Sequence, residues 1–124
     1  MPIELNHTIV WCANKERSAA FYADMLGRPA PRSFGPFLVV DLDNGVSLDF
    51  SDDGDIAKQH YAFLVDDATF DAVFARVEAQ ALPYWADPAK RQAQQLYRHY
   101  GGRGCYFDDP DGHLLEVMTR PYPK

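Results

Sequence analysis

Four residues of this chain carry the chemistry of a metal centre: His7, Asp49, His60 and Glu116. Two imidazoles with one or two carboxylates suit a divalent first-row ion and leave positions open for water or substrate. Each lies in a stretch whose alternation predicts a β-strand. In VSLDF, Val46, Leu48 and Phe50 form one apolar face, which leaves Ser47 and Asp49 on the other. In HYAFLV, Tyr61, Phe63 and Val65 lie opposite His60. In HLLEVMT, Leu115 and Val117 lie opposite Glu116. A carboxylate in mid-strand among Leu, Val and Phe is costly to bury unless something pairs with it. A metal ion offsets that cost, and so does an arginine such as Arg103. Taken singly, each candidate has an ordinary reading, His7 as a hydrogen-bonded strand-start residue and Glu116 as an ion-pair partner. His113, beside a turn, is expected to be exposed and structural.

These residues need strands to hold them, and the chain supplies two successive sets. Residues 5–12 (LNHTIVWC) alternate as a half-buried strand with His7, Ile9 and Trp11 on one face. Asn14 is a natural cap for a helix whose Phe21, Tyr22, Met25 and Leu26 share one side, and Gly27 is its stop. FLVVDL and VSLDF follow, joined by the hairpin signal Asp43-Asn44-Gly45. The plan then restarts. HYAFLV opens on a histidine, and Asp66 or Asp67 caps a helix carrying Phe70, Val73, Phe74 and Val77. A short extended piece follows around Leu82-Pro83-Tyr84-Trp85. Beyond a loop at about 86–103, CYF and HLLEVMT are joined by Asp109-Pro110-Asp111-Gly112, where a tight turn wants proline and glycine. A loop of that length is usually functional or mobile. The chain thus reads as a single α+β domain over 1–124, with one module at about 1–53 and a second at about 58–120.

Composition bounds the partners. The 124 residues are 47% hydrophobic and 24% charged, enough to build a core without staples. A net charge of -6 argues against nucleic acid or an anionic membrane as partner. No apolar run is long enough to span a bilayer, and no signal-peptide plan is present, so a cytoplasmic location is expected. Cys12 and Cys105 both fall in apolar stretches, where buried inert thiols are expected.

The segments HTIV, FYADMLGRP, HYAFLV and above all GGRGCYFDDPDGHLLEVMT resemble the vicinal-oxygen-chelate superfamily, which includes glyoxalases, extradiol dioxygenases and bleomycin-resistance proteins. The DPDG turn with a glutamate shortly after it and the FY-x-x-x-LG helix ending carry most of the likeness. The resemblance implies two βαβββ modules whose mixed sheet curls into a cup with the helices outside. It implies one divalent ion per site (Ni, Zn, Mn, Co or Fe), held by His7, His60 and Glu116. Asp49 falls where members place a fourth ligand, usually Glu or Gln. Being one methylene shorter, it ligates loosely, binds through water or acts as a base. A homodimer is implied too, in several members with a metal site shared between chains.

The resemblance leaves three reactions open. Lyase or isomerase chemistry on a small vicinally oxygenated metabolite comes first, with Glu116 and Asp49 as candidate proton carriers beside a metal-stabilised oxyanion. Trp11 and Asp53 replace the arginine and asparagine that would hold glutathione in glyoxalase I. An extradiol-type iron(II) dioxygenase comes second, with His7, His60 and Glu116 as its triad and Trp11, Tyr84, Trp85, Tyr97 and Tyr100 as aromatic lining. Drug or metabolite binding of the bleomycin-resistance kind comes third. Fosfomycin modification has less support, with only Arg98 and Arg103 as a basic cradle. Candidate substrate contacts are Trp11, His99, Tyr100 and Arg103, the last either to meet a substrate carboxylate or to pair with a neighbouring aspartate on the surface.

Overall fold

The computed structural model describes residues 1–124 as two compact units, Met1–Ala57 and Lys58–Lys124. Both are α+β, each a four-stranded mixed sheet with one helix, and neither sheet closes into a barrel.

The first unit runs β1 (His7–Trp11), α1 (Lys15–Leu26), β2 (Arg32–Phe34), β3 (Phe37–Asp41) and β4 (Ser47–Ser51). Its sheet order is β1-β4-β3-β2, with β1 parallel to β4 and the remaining pairs antiparallel. A parallel pair needs a crossover, and α1 lies within it. The helix starts where the Asn14 side chain accepts from the Arg17 amide at 2.9 Å. It stops at Gly27, whose φ of 65° costs a glycine little. Tyr22 and Met25 are buried and Phe21 and Leu26 half-buried, and Tyr22 meets Phe50 edge-on with ring centroids 4.9 Å apart. That contact sets α1 on the face of Val10, Val40, Leu48 and Phe50. The Asp43-Asn44-Gly45 turn closes with the Leu42 amide on the Val46 carbonyl at 2.9 Å. Strand β2 has no apolar alternation to announce it. It is held by pairing with β3 and by Arg32 gripping both Asp41 oxygens at 2.8 and 3.0 Å.

The second unit repeats the order: β5 (His60–Leu64), α2 (Asp67–Ala79), β6 (Tyr84–Trp85), β7 (Gly104–Asp108) and β8 (Leu114–Met118). Its sheet reads β5-β8-β7-β6, again with the outer parallel pair bridging the helix. Asp66 is the cap of α2, accepting from the Thr69 amide at 2.8 Å. Phe70, Val73 and Val77 are fully buried, each contributing about 1.5–3 kcal/mol by leaving water. Phe74 meets Tyr84 edge-on at 5.0 Å, which sets α2 against the face of Tyr84, Phe107, Leu115 and Val117. Both cysteines are buried, and neither forms a disulfide.

The turn at 109–113 corrects one expectation. His113 is 0% exposed rather than on the surface. Its Nδ1 accepts from the Gln59 amide at 2.9 Å, and its ring meets Tyr61 edge-on. The reason is parity, because His113 shares the inward face with Leu115 and Val117. The Asp109 carboxylate accepts from the amides of Asp111 and His113 at 2.9 and 2.8 Å, so the turn is closed by a side chain as well as by backbone. The 86–103 segment is likewise built. Asp87 accepts from the amides of Arg91 and Gln92, and bridges form at Trp85–Ala93 and Tyr97–Gly104.

Candidate metal centre

Strand register decides which candidates can meet. In the second unit Ala62 sits opposite Glu116, and Glu116 opposite Tyr106. His60, Glu116, Tyr106 and Trp85 therefore share the face turned away from α2. His60 Nε2 lies 3.1 Å from Glu116 Oε1, although 56 residues separate the two in sequence. The other imidazole nitrogen, Nδ1, lies 2.9 Å from the Leu114 carbonyl oxygen. A carbonyl only accepts, so Nδ1 carries a hydrogen, and Nε2 is the nitrogen that faces the carboxylate. A nitrogen and an oxygen that close are joined either by a proton, as in an imidazolium–carboxylate ion pair, or by a metal ion that both ligate. A backbone carbonyl fixing the tautomer of a ligating imidazole is the usual outer support of such a site.

Glu116 is only 7% exposed, and its second oxygen is engaged as well: the Tyr97 hydroxyl donates to Oε2. Burial first, and then the Glu116 carboxylate, holds the Tyr97 phenol far above its ordinary value, so it remains a donor. Burial and Glu116 also push Tyr106 up to about 12. Tyr97 stacks on His99 at 4.8 Å, and Tyr100 meets His99 edge-on at 5.7 Å. His99 and Tyr100, expected substrate contacts, thus reach the carboxylate's surroundings through Tyr97. From sequence alone Tyr97 counts only as aromatic lining, and Tyr106 does not stand out. Hairpin counting across the DPDG turn would have found Tyr106, since residues 108 and 114 pair and so do 106 and 116.

In the first unit His7 pairs with Ser47 and Ile9 with Asp49, so His7, Trp11, Ser47 and Asp49 share the face opposite α1. His7 Nδ1 lies 2.7 Å from Asn6 Oδ1, so that Nδ1 is the engaged nitrogen, as in His60. Asp49 is 7% exposed and accepts from the Ser47 hydroxyl at 2.8 Å. No three His, Cys, Asp or Glu side chains converge as a metal-binding group. The structure brings together His60 and Glu116, and it places His7 and Asp49 on neighbouring strands two register positions apart.

Arg103 goes elsewhere. Its guanidinium pairs with Asp71 at 2.8 Å and Asp67 at 3.1 Å and lies over the Phe70 ring, all on α2. It neither neutralises Glu116 nor shares the His60 face. The acidic first turn of α2 draws it there, where opposite charge and an aromatic face are both available.

The donor set fits a divalent ion. His60 and Glu116 present an imidazole nitrogen and a carboxylate oxygen side by side, each held by a second contact.

Fold and site together define the class: an α+β protein of two βαβββ units with a histidine–carboxylate pair on the helix-free face of a mixed sheet. Residues 4–117 match the Glyoxalase/Bleomycin resistance protein/Dioxygenase superfamily, and the chain belongs to that family. The solved structure of Oxidase ChaP-H1 is 52% identical, covers 99% of this chain and 100% of its own, and superposes with a TM-score of 0.95. Oxidase ChaP-H2 is 49% identical, with 100% and 98% coverage and the same TM-score. Metallothiol transferase FosB of Shouchella clausii (strain KSM-K16) is 29% identical over 122 residues, 93% of this chain and 79% of its own. No helix is long and apolar enough to cross a membrane.

Proposed function

We propose that this protein is a metal-dependent oxidase of a small, vicinally oxygenated aromatic metabolite, using dioxygen as electron acceptor. The observation that carries the metal is the His60–Glu116 pair, with Nδ1 pinned by a carbonyl and Nε2 3.1 Å from a carboxylate oxygen. His60 and Glu116 of the second unit hold the ion, and in the first unit His7 is the corresponding imidazole donor and Asp49 a further ligand or a base. When bound, iron(II) in such a set supplies Lewis acidity and open positions for two substrate oxygens and dioxygen. Tyr106, Trp85, His99 and Tyr100 offer ring faces to a planar substrate, as Trp11 does in the first unit. The 52% identity to a protein named an oxidase favours this reaction over proton transfer, reversing the order set by the sequence alone. A cytoplasmic homodimer is the expected working form.

Lyase or isomerase chemistry is the second reading. It is favoured by Asp49, a nearly buried carboxylate hydrogen-bonded to Ser47 on the helix-free face and available to take a proton from carbon. Fosfomycin-type thiol transfer gains nothing from Arg103, which is committed to α2. Drug binding without chemistry does not use the His60–Glu116 arrangement.

Elemental analysis of anaerobically purified protein separates these readings. About one iron per chain, with oxygen uptake on catechol- or hydroquinone-type substrates, is the expected result. Nickel, zinc, manganese or cobalt without oxygen uptake points to proton transfer. His60→Ala and Glu116→Ala are each expected to lose the bound metal while keeping the wild-type circular dichroism. Unchanged metal content in both variants removes the assignment.

A further inference from the structure

Glu116 has two oxygens, and the structure gives them different neighbours. Oε1 faces His60 Nε2, while Oε2 receives the Tyr97 hydroxyl. Tyr97 comes from the long 86–103 connection rather than from a sheet strand, and several features act together to deliver it. Its backbone bridges Gly104 through two hydrogen bonds of 2.9 and 3.1 Å. Its ring occupies the space where a side chain at 104 would stand: a Cβ there would lie 2.0 Å from Cζ and 2.2 Å from the hydroxyl oxygen. Gly104 is therefore a glycine because the Tyr97 ring crosses it on the way to Glu116. The ring is only 7% exposed, packs with Ala86, Met118 and Tyr106, and stacks on His99. A phenol placed this firmly on a carboxylate oxygen has one geometric effect, which is to occupy that oxygen.

We propose that Tyr97 is a positioning residue that makes Glu116 a one-oxygen ligand. The inference rests on the metal-centre reading above. A carboxylate with both oxygens available can chelate a single ion and fill two positions. With Oε2 held by Tyr97, Glu116 offers Oε1 alone, which keeps one more coordination position for substrate or dioxygen. The 86–103 connection, by this account, exists to set the number of open positions.

Cobalt(II) titration of the metal-free full chain tests this without knowledge of the substrate. Its visible absorption weakens and shifts as ligands are added, a readout that loss of packing alone does not produce. Tyr97→Phe keeps the ring and removes only the hydroxyl. It is expected to bind cobalt with a weaker, shifted band and an affinity changed by about tenfold or more. Gly104→Ala, which must push the ring aside, is expected to give the same spectral change. Cobalt binding by the wild type with a Tyr97→Phe spectrum superimposable on it and an affinity within about twofold overturns the positioning role alone. No cobalt uptake by the wild type, or uptake undiminished in His60→Ala and Glu116→Ala, overturns the metal centre and the positioning role with it.

Discussion

Cys105 and Glu116 stand on adjacent strands of one sheet but face opposite ways, and their surroundings differ accordingly. Glu116 is surrounded by polar partners, whereas Cys105 is 0% exposed among Phe107, Leu115 and Val117. Burial, with a smaller contribution from the Glu116 charge, pushes its thiol up to about 12 from the ordinary 9.0. The folded value is raised, so the unfolded chain loses this proton first. The resulting stability is fully present below about pH 9 and is lost as pH rises toward about 12. Cys105→Ala is therefore expected to flatten that part of a plot of urea midpoint against pH. A thiol reagent at pH 8 should label neither Cys12 nor Cys105 in the native protein and both in denaturant. Fast native labelling of Cys105 would contradict its burial. Parity also explains the one misplaced histidine. His113 and His60 look alike in the sequence, but His113 falls in step with the apolar residues of β8 and His60 out of step with those of β5.

Among the elements, the β7–β8 hairpin has the heaviest task, since its register sets Tyr106 against Glu116 and its turn fixes that register. The Asp109 carboxylate holds two amides there, one of them on the fully buried His113. Asp109→Ala leaves both donors without their acceptor and is expected to cost about 2 kcal/mol in urea unfolding, within the range for unsatisfied buried groups. Asp109→Asn keeps an accepting oxygen and should retain most of the stability. Equal stability of the Ala variant and the wild type would show that the backbone alone closes the turn. Strand β2 stands at the other extreme: no apolar alternation marks it, and a two-bonded ion pair with Asp41 fastens it to β3.

For the molecule as a whole, the proposed metal site would link ion binding to folding. An ion that binds the folded chain at 100 times its Kd adds about 2.7 kcal/mol of stability, enough to raise Tm by several degrees in a domain of this size. Iron(II) or cobalt(II) is expected to raise the Tm of the wild type and to leave His60→Ala unmoved. A rise of equal size in both would place the ion elsewhere.

Much of this architecture is legible in local sequence, because caps, turns and strand faces depend on residues a few positions apart. Asn14 and Gly27 mark the helix ends they were expected to mark, and Asp66 is the cap of the two aspartates on offer; the strand–helix–strands order of each unit follows from alternation broken by turns, with β2 the strand it leaves unannounced. Local pattern also put His7, Asp49, His60 and Glu116 on helix-free faces, since a side chain's face depends only on odd or even position along its strand. Contacts are another matter, because they depend on distant pieces of chain finding one another. That His60 touches Glu116 follows from parallel pairing of strands more than 50 residues apart. That Tyr97 reaches Glu116 depends on an absent Cβ at Gly104, and that Arg103 turns to α2 depends on Asp67 and Asp71 being nearer than any site carboxylate. The sequence by itself determined the faces and ends of the elements, because periodicity and capping are local; only the tertiary structure decided which polar groups meet, because that choice is made by strand register and by the space left between packed side chains.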